Sequence, residues 1–261
     1  MTPTLPTPKA LSDPLEDDFP LPDVLPYSDG VPVDSDWQVL QMQLLRDILE
    51  TNWKGRRFYC AGNMFLYFSP AQVRNREFPG PDFFVTLDVE HDRMRKYWAI
   101  WEENGRQPDI VFELISPTTE REDRTTKKDI YEQKARIPEY VCYDPETEEF
   151  DAWRLDGRYR PIVLEADRLW SERLSLWIGK WQGMYLGHST TWVRFFNQKG
   201  EMLPTGGEHG TALAMEEAAH AKRADTISER ATVRAQAAEA ENEHLKKELE
   251  ALRQQAKLTA S

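Results

Sequence analysis

The segment that most constrains the fold runs from residue 108 to residue 145, PDIVFELISPTTEREDRTTKKDIYEQKARIPEYVCYDP. An apolar run comes first, then a polar stretch that passes into strong helix formers, then a second apolar run. This order predicts a strand, a helix and a strand, which is typical of a βαβ unit with parallel strands and a right-handed crossover. We therefore expect an α/β (α+β) domain built around these residues.

An acidic residue, Glu113, lies in the middle of the first apolar run. A buried carboxylate without a partner is costly, so such a residue normally has a cationic partner, a proton or a metal. Asp82, in GPDFFV at the head of another predicted strand, provides a second carboxylate. Two converging carboxylates suit Mg²⁺, which binds them together with water and phosphate oxygens. Pairing of Glu113 with Arg124, and a simple turn role for Asp82, stay open as alternatives.

Other segments predict the elements that surround this unit. A Ser/Asp cap and helical spacing indicate a first helix, and aromatic, β-branched runs indicate strands and a hairpin that turns at Asp156-Gly157. The helix lies in 35–53, the strands in 56–69 and 82–89, the hairpin in 148–164, and a Trp-rich stretch follows over 170–192. Together with the βαβ unit they predict one domain over residues 31–204.

The two ends of the chain differ from this domain in composition. Residues 1–30 are rich in Pro and Asp and have few apolar anchors, which predicts a disordered tail. Residues 205–213 begin with TGGEHG and are predicted to be a linker. Residues 214–258 contain no Gly or Pro and consist mainly of strong helix formers, so a long helix is expected there.

A heptad pattern runs along this C-terminal helix. Its positions alternate in steps of three and four, are mostly alanine at first and leucine later, and include one polar Asn: Ala221, Ala224, Ser228, Ala231, Ala235, Ala238, Asn242, Leu245, Leu249, Leu252 and Ala256. Such a seam is typical of a coiled coil. It predicts that the helix joins copies of the chain into a homo-oligomer, most simply a dimer; a single solvated helix is the alternative.

Charge and cysteine content exclude some classes of protein. The net charge of −12 argues against a strongly basic nucleic-acid binder. Much of that charge lies in residues 1–36, with eight acids against one Lys, so a nucleic-acid substrate for the domain is not excluded. Cys60 and Cys142 lie in apolar surroundings and suggest neither a disulfide framework nor a metal cluster. The sequence has no export signal and no apolar run long enough to span a bilayer, which predicts a cytoplasmic protein.

Five stretches together resemble one known family. GPDFFV, the segment 108–145, GNMFLYF (62–68), KYWAIWEE (96–103) and LWSERLSLWIG (169–179) are similar to the Uma-two family of restriction endonucleases, within the PD-(D/E)XK nuclease superfamily. The resemblance covers roughly residues 35–205. It implies a restriction-endonuclease-like mixed β-sheet core with flanking helices, here followed by the coiled-coil-like helix.

The resemblance also implies a set of catalytic residues. Asp82 matches the first acid of the superfamily pattern and Glu113 the second, and both would bind Mg²⁺ (or Mn²⁺) together with the backbone carbonyl of Leu114. The usual lysine position falls on Ile115. In this family the lysine comes instead from the following helix, which implies Lys127.

Some residues of that helix and of the first helix have less certain roles in the resemblance. The family's D…K…Y pattern falls on Asp123, Lys127 and Tyr131, while Lys128 is a competing lysine. Asp123 could instead be an N-cap, although Thr119 and Glu122 spell a capping box nearby. Two further candidate site residues are Gln38, where relatives often carry His, and Asn63, which could also satisfy a neighbouring backbone group.

Two functions from different classes follow. The first is a Mg²⁺-dependent endonuclease that hydrolyses DNA phosphodiester bonds by activating water, with Asp82, Glu113 and Lys127 as catalytic residues. The second is a catalytically weak or inactive nuclease-fold module that assembles through residues 214–258. The chain has no HExxH, G-x-S-x-G or P-loop motif to indicate another hydrolase.

Overall fold

The computed structural model describes residues 35–72 and 79–259, with side chains up to residue 249. The chain divides into two compact units, with the boundary between Thr205 and Gly206. The predicted tail, residues 1–30, lies outside the described residues, as do the side chains of Leu252 and Ala256 in the heptad pattern.

The first unit is built on a six-stranded mixed sheet. Its strands are β1 (Phe58–Gly62), β3 (Phe83–Leu87), β5 (Ile110–Leu114), β6 (Glu139–Asp144), β7 (Glu149–Asp156) and β8 (Arg158–Pro161), in the order β1-β3-β5-β6-β7-β8. β5 and β6 are parallel and the other neighbouring pairs are antiparallel. The predicted α+β fold with a mixed sheet and a βαβ unit is confirmed.

Side chains alternate along β5, so each face of the sheet has its own core. Ile110, Phe112 and Leu114 pack in one buried cluster, whereas Val111 and Ile115 pack in the other. Glu113 belongs to the second face by this alternation, and it is completely buried there.

The first helix, α1 (Asp36–Asn52), covers the first of these clusters with buried leucine and isoleucine side chains. It starts as predicted, because the side chain of Ser35 accepts a hydrogen bond from the backbone N–H of Gln38 at 3.2 Å. Gln41, also buried, both donates to and accepts from the backbone of Val193, which fixes α1 to a second sheet.

That second sheet has three antiparallel strands, β9 (Arg168–Ser171), β10 (Leu176–Tyr185) and β11 (His188–Phe196). It accounts for most of the Trp-rich stretch, and Trp192 is completely buried against Trp37. A short parallel pair, β2 (Leu66–Tyr67) and β4 (Trp98–Ala99), completes the strands of the described residues.

The crossover between β5 and β6 is a helix, α2, made of three segments. An α-helical turn, Glu120–Glu122, continues into π-helical segments Asp123–Lys127 and Ile130–Lys134. The capping box predicted for Thr119 and Glu122 does not form, since Thr119 makes no side-chain capping bond. π-Helical turns are rare and are frequent at functional sites.

Three other predictions need correction. The strand expected over residues 56–69 is two strands, because Asn63 adopts the left-handed conformation (φ 49°) between β1 and β2. The hairpin at residues 148–164 forms as β7 and β8, but within its turn only Gly157 has a positive φ (70°), so the turn is not type I′.

The prediction of a linker over residues 205–213 also needs correction, because most of this stretch is helical. The long helix, α3 (Gly206–Thr259), begins at Gly206 and includes nearly all of that stretch. Glycine costs a helix only about 1 kcal/mol per residue, so TGGEHG does not by itself end one. No helix of the described residues is long and apolar enough to cross a membrane.

Candidate functional site

Two adjacent strands place Asp82 and Glu113 side by side. β3 and β5 are antiparallel with Phe83 opposite Phe112, so Asp82, which precedes β3, lies opposite Glu113. The backbone N–H of Asp82 lies 3.4 Å from Oε2 of Glu113, and the backbone N–H of Leu114 donates to Oδ2 of Asp82 at 2.6 Å. The carboxyl groups of Asp82 and Glu113 are themselves close enough to interact by a hydrogen bond.

Glu113 has two partners on α2. Nζ of Lys127 lies 3.0 Å from its Oε2, and the hydroxyl of Tyr131 donates to its Oε1 at 2.8 Å. Arg124 instead pairs with Glu120 and Asp151, so the alternative that Arg124 neutralises Glu113 is wrong. The carboxylate of Glu113, in the middle of an apolar strand, is therefore satisfied by the ammonium group of Lys127 and the phenol of Tyr131.

The two neighbouring lysines of α2 have different surroundings. Lys127 is mostly buried and also forms an ion pair with Asp123, whose Oδ1 is 2.8 Å from its Nζ. Nζ of Lys128 lies 4.5 Å from the ring centre of Trp153, away from the carboxylates. Of the two, Lys127 is thus the one that meets Glu113.

Asp123 lies inside α2 and not at its N-cap, which excludes the capping alternative. Its side chain is 1% exposed. Apart from the ion pair with Lys127, neither oxygen of the carboxylate has a hydrogen-bond partner among the described residues. A buried carboxylate oxygen in this state has lone pairs left for a further donor or cation.

Burial dominates the ionisation of the two strand carboxylates. It raises the pKa of Asp82 to about 6, although Lys127 and the Leu114 N–H favour the charged form. Burial likewise raises the pKa of Glu113 well above its usual range, against the attraction of Lys127. Burial therefore disfavours the ionised form of both carboxyl groups.

The pKa values of the cationic and phenolic partners, Lys127 and Tyr131, are also raised. Burial alone would lower the pKa of Lys127, but Glu113, Asp123 and Asp82 outweigh it and raise that pKa above its usual value. Burial and the neighbouring Glu113 raise the pKa of Tyr131 well above 10. Near neutral pH Lys127 is an ammonium ion and Tyr131 a neutral hydrogen-bond donor.

The two secondary candidates lie in different positions. Gln38 is buried, and its side-chain amide donates to the carbonyl oxygen of Leu114 at 2.8 Å, beside Asp82. Asn63 has an exposed side chain, and its backbone N–H lies 3.3 Å from the carbonyl oxygen of Asp82. Gln38 is part of the cluster, whereas Asn63 contacts its edge through the backbone.

The sequence matches the Uma2 family model, described as "Putative restriction endonuclease", over residues 14–181. The chain belongs to the Uma2 family. None of the curated proteins matches it. Among solved structures it is similar to the "Crystal structure of a putative nuclease belonging to DUF820 from Anabaena variabilis ATCC 29413", at 15% identity and a TM-score of 0.38, over 54% of this chain and 76% of that chain.

The family implies a divalent metal, and the donors of this Uma2 protein can be tested against one. No three His, Cys, Asp or Glu side chains among the described residues are placed to hold a metal by themselves. Mg²⁺ needs only one or two carboxylates, with water and substrate oxygens as its other ligands. Asp82, Glu113 and the Leu114 carbonyl are all hard oxygen donors, which fits the ligand preference of Mg²⁺.

The sequence placed Tyr131 in the family's D…K…Y pattern but gave it no role in the site of this Uma2 protein. Its hydroxyl is one of two groups that satisfy Glu113, and its ring is completely buried in the core. The spacing of four residues from Lys127 was the available signal, since residues four apart share one face of an α-helix. The signal is weak alone, because an aromatic residue at that spacing is more often only part of the core.

Proposed function

We propose that this Uma2 protein is a divalent-metal-dependent endonuclease that hydrolyses phosphodiester bonds of DNA. The observation that carries the proposal is the convergence of three side chains: Asp82, just before β3, lies opposite Glu113 of β5, and Nζ of Lys127 on α2 lies 3.0 Å from Oε2 of Glu113. Membership of a family described as restriction endonucleases supports the same reaction class.

In this proposal Asp82, Glu113 and the carbonyl of Leu114 would hold Mg²⁺ or Mn²⁺. When bound, such a cation lowers the pKa of a coordinated water and neutralises charge on the scissile phosphate. Gln38 fixes the direction of the Leu114 carbonyl through its 2.8 Å hydrogen bond. Tyr131 holds one oxygen of Glu113, which leaves Oε2 directed toward Asp82 and Lys127.

Lys127 then acts as a positive hydrogen-bond donor and not as the base. Its raised pKa keeps it protonated, so it can orient the attacking water and stabilise negative charge that develops on the phosphate. Asp123 keeps the ammonium group in place through its 2.8 Å contact. Asp123 is therefore a positioning residue in this mechanism.

The test is cleavage of supercoiled plasmid DNA by the purified full chain with Mg²⁺ or Mn²⁺. Wild type should cut, while Asp82→Asn and Glu113→Gln should lose cleavage by about 10²-fold or more. Asp129→Asn is the matched control, because Asp129 is an exposed acid on the same helix as Lys127. Absence of cutting by wild type, or equal cutting by all four proteins, would overturn the proposal.

The second candidate function is that of a nuclease-fold assembly module with little or no catalysis. The exposed leucines of α3 favour it, because they indicate a surface made for another helix. Cleavage that stays at background in wild type while the chain still self-associates would favour this function over the nuclease.

A further inference from the structure

The helix α3 carries an apolar stripe that its own unit leaves exposed. Leu245 and Leu249 are 53% and 51% exposed. Both leucines belong to the heptad seam, whose positions are spaced alternately by three and four residues. The helix has 54 residues, so the seam can extend over many helical turns. An isolated helix leaves such an apolar stripe exposed to water, whereas a helix paired in a coiled coil buries it.

The seam can be written in heptad positions a and d. Position a holds Ala221, Ser228, Ala235, Asn242, Leu249 and Ala256, and position d holds Ala224, Ala231, Ala238, Leu245 and Leu252. With this assignment the flanking positions g and e carry the charges that face a partner helix. In a parallel, in-register pair, each g residue faces the e residue five positions later on the other chain.

These flanking charges are complementary when the chain meets its own copy. Arg234 would face Glu239 of the partner subunit, and Glu241 would face Lys246 of the partner subunit. His220 and Asp225 form the same kind of pair when His220 is protonated, and the sequence continues the spacing with Glu248 and Arg253. Every charged g–e pair along this register joins opposite signs.

From this pattern we propose that α3 forms a parallel, in-register, two-stranded coiled coil with a second copy of the chain. Asn242 supports the parallel arrangement, because an Asn at a would then face Asn242 of the partner subunit and hydrogen-bond to it. In an antiparallel pair, position a would face position d, and that Asn would meet an apolar residue. The proposal is independent of the nuclease function.

Orientation and register are tested by disulfide cross-linking of the full chain. Ala231→Cys and Ala238→Cys, both at d, should each give a cross-linked dimer under mild oxidation. In an antiparallel pair only one position along the helix lies opposite the same position of the partner helix. Such a pair could therefore not cross-link both variants. Ala240→Cys is the matched control at an outer position, and the native Cys60 and Cys142 are buried. Cross-linking of only one variant, or equal cross-linking of the control, would overturn the proposal.

The pairing is tested by light scattering across a concentration series. Wild type should have twice the chain mass of 30.4 kDa. Glu241→Lys should raise the dimer dissociation constant by about tenfold, since two attractive pairs become repulsive, and adding Lys246→Glu should restore it. A monomeric wild type, a larger oligomer, or a double variant that fails to recover would contradict this arrangement.

Discussion

Replacing Asp82 by Asn is expected to stabilise the metal-free protein at pH 8, even though it removes a proposed catalytic residue. Burial raises the pKa of Asp82 from 3.8 to about 6, so the ionised carboxylate is less favourable in the folded chain than in water. Asparagine has nearly the same shape and can still accept the hydrogen bond from the Leu114 N–H. It removes the charge and keeps most of the packing.

The size of the effect follows from the pKa difference. A rise from 3.8 to about 6 corresponds to a destabilisation of at most about 3 kcal/mol once Asp82 is ionised in both states. Asp82 keeps some contact with solvent, so the measured effect should fall below this value. For a protein of this size, 3 kcal/mol shifts the melting temperature by about 6–12 °C.

The sign of the pH dependence is fixed by the direction of the shift. Between about pH 4 and 6 the folded state binds more protons than the unfolded state, so wild-type stability falls as the pH rises through this window. Above pH 6 the penalty is constant, and below pH 4 it is absent. The advantage of Asp82→Asn should therefore be near zero at pH 4 and full at pH 8.

The assay is urea unfolding in EDTA, followed by tryptophan fluorescence at several pH values, with Asp129→Asn as the exposed control. Adding Mg²⁺ should then stabilise wild type more than Asp82→Asn, since binding to the folded state alone contributes about 2.7 kcal/mol at a hundred times Kd. A variant that is less stable than wild type at pH 8, or a gain that does not change with pH, would refute the reasoning.

Three further predictions concern residues that contact Glu113 or the carbonyl oxygen of Leu114. Lys127→Ala should lower plasmid cleavage by about 10²-fold or more, whereas Lys128→Ala, which alters only a contact with an aromatic ring, should leave the rate within a few-fold of wild type. Tyr131→Phe should cost about 1–3 kcal/mol in urea unfolding and move the acidic limb of the cleavage pH profile upward, because Glu113 loses a donor to its charged form. Gln38→Leu should lower stability by about 1–2 kcal/mol, and an unchanged unfolding midpoint would show that its 2.8 Å hydrogen bond contributes nothing.

The strand part of the site could be predicted from the sequence because a strand has a fixed period of two. Alternation placed Glu113 on the face opposite Leu114, and this is a local rule of backbone geometry that needs no knowledge of tertiary packing. The position of Asp82 beside Glu113 depends instead on the pairing of β3 with β5, which is not local, and its role was implied by the family resemblance.

The helix part could not be predicted with the same certainty. Lys127 and Lys128 are adjacent, and the choice between them depends on the rotation of α2 about its axis. The segment Asp123–Lys127 is π-helical, which widens the turn and changes that rotation from the α-helical value. The break of the first strand at Asn63 is similar, because nothing in GNMFLYF requires a left-handed residue at that place.

The packing of Ile115 explains why the lysine of this site comes from α2. Ile115 lies two residues after Glu113 on the same face and is buried in the cluster that contains Tyr131. A lysine there would place its stem and ammonium group under the helix, away from water, at the cost of that apolar packing. From α2, Lys127 reaches Glu113 and Asp123 while keeping part of its side chain exposed.

This arrangement leaves three carboxyl groups around one ammonium group. Burial is the main cause of the raised pKa values of Asp82 and Glu113, and the neighbouring acids add to it; the folded chain can relieve this cost by taking up protons or a cation. A protein selected for stability alone would replace one of these acids with a neutral residue. The proposed metal site requires these acids to be kept together, and the stability gained by Asp82→Asn would measure what keeping Asp82 costs the metal-free protein.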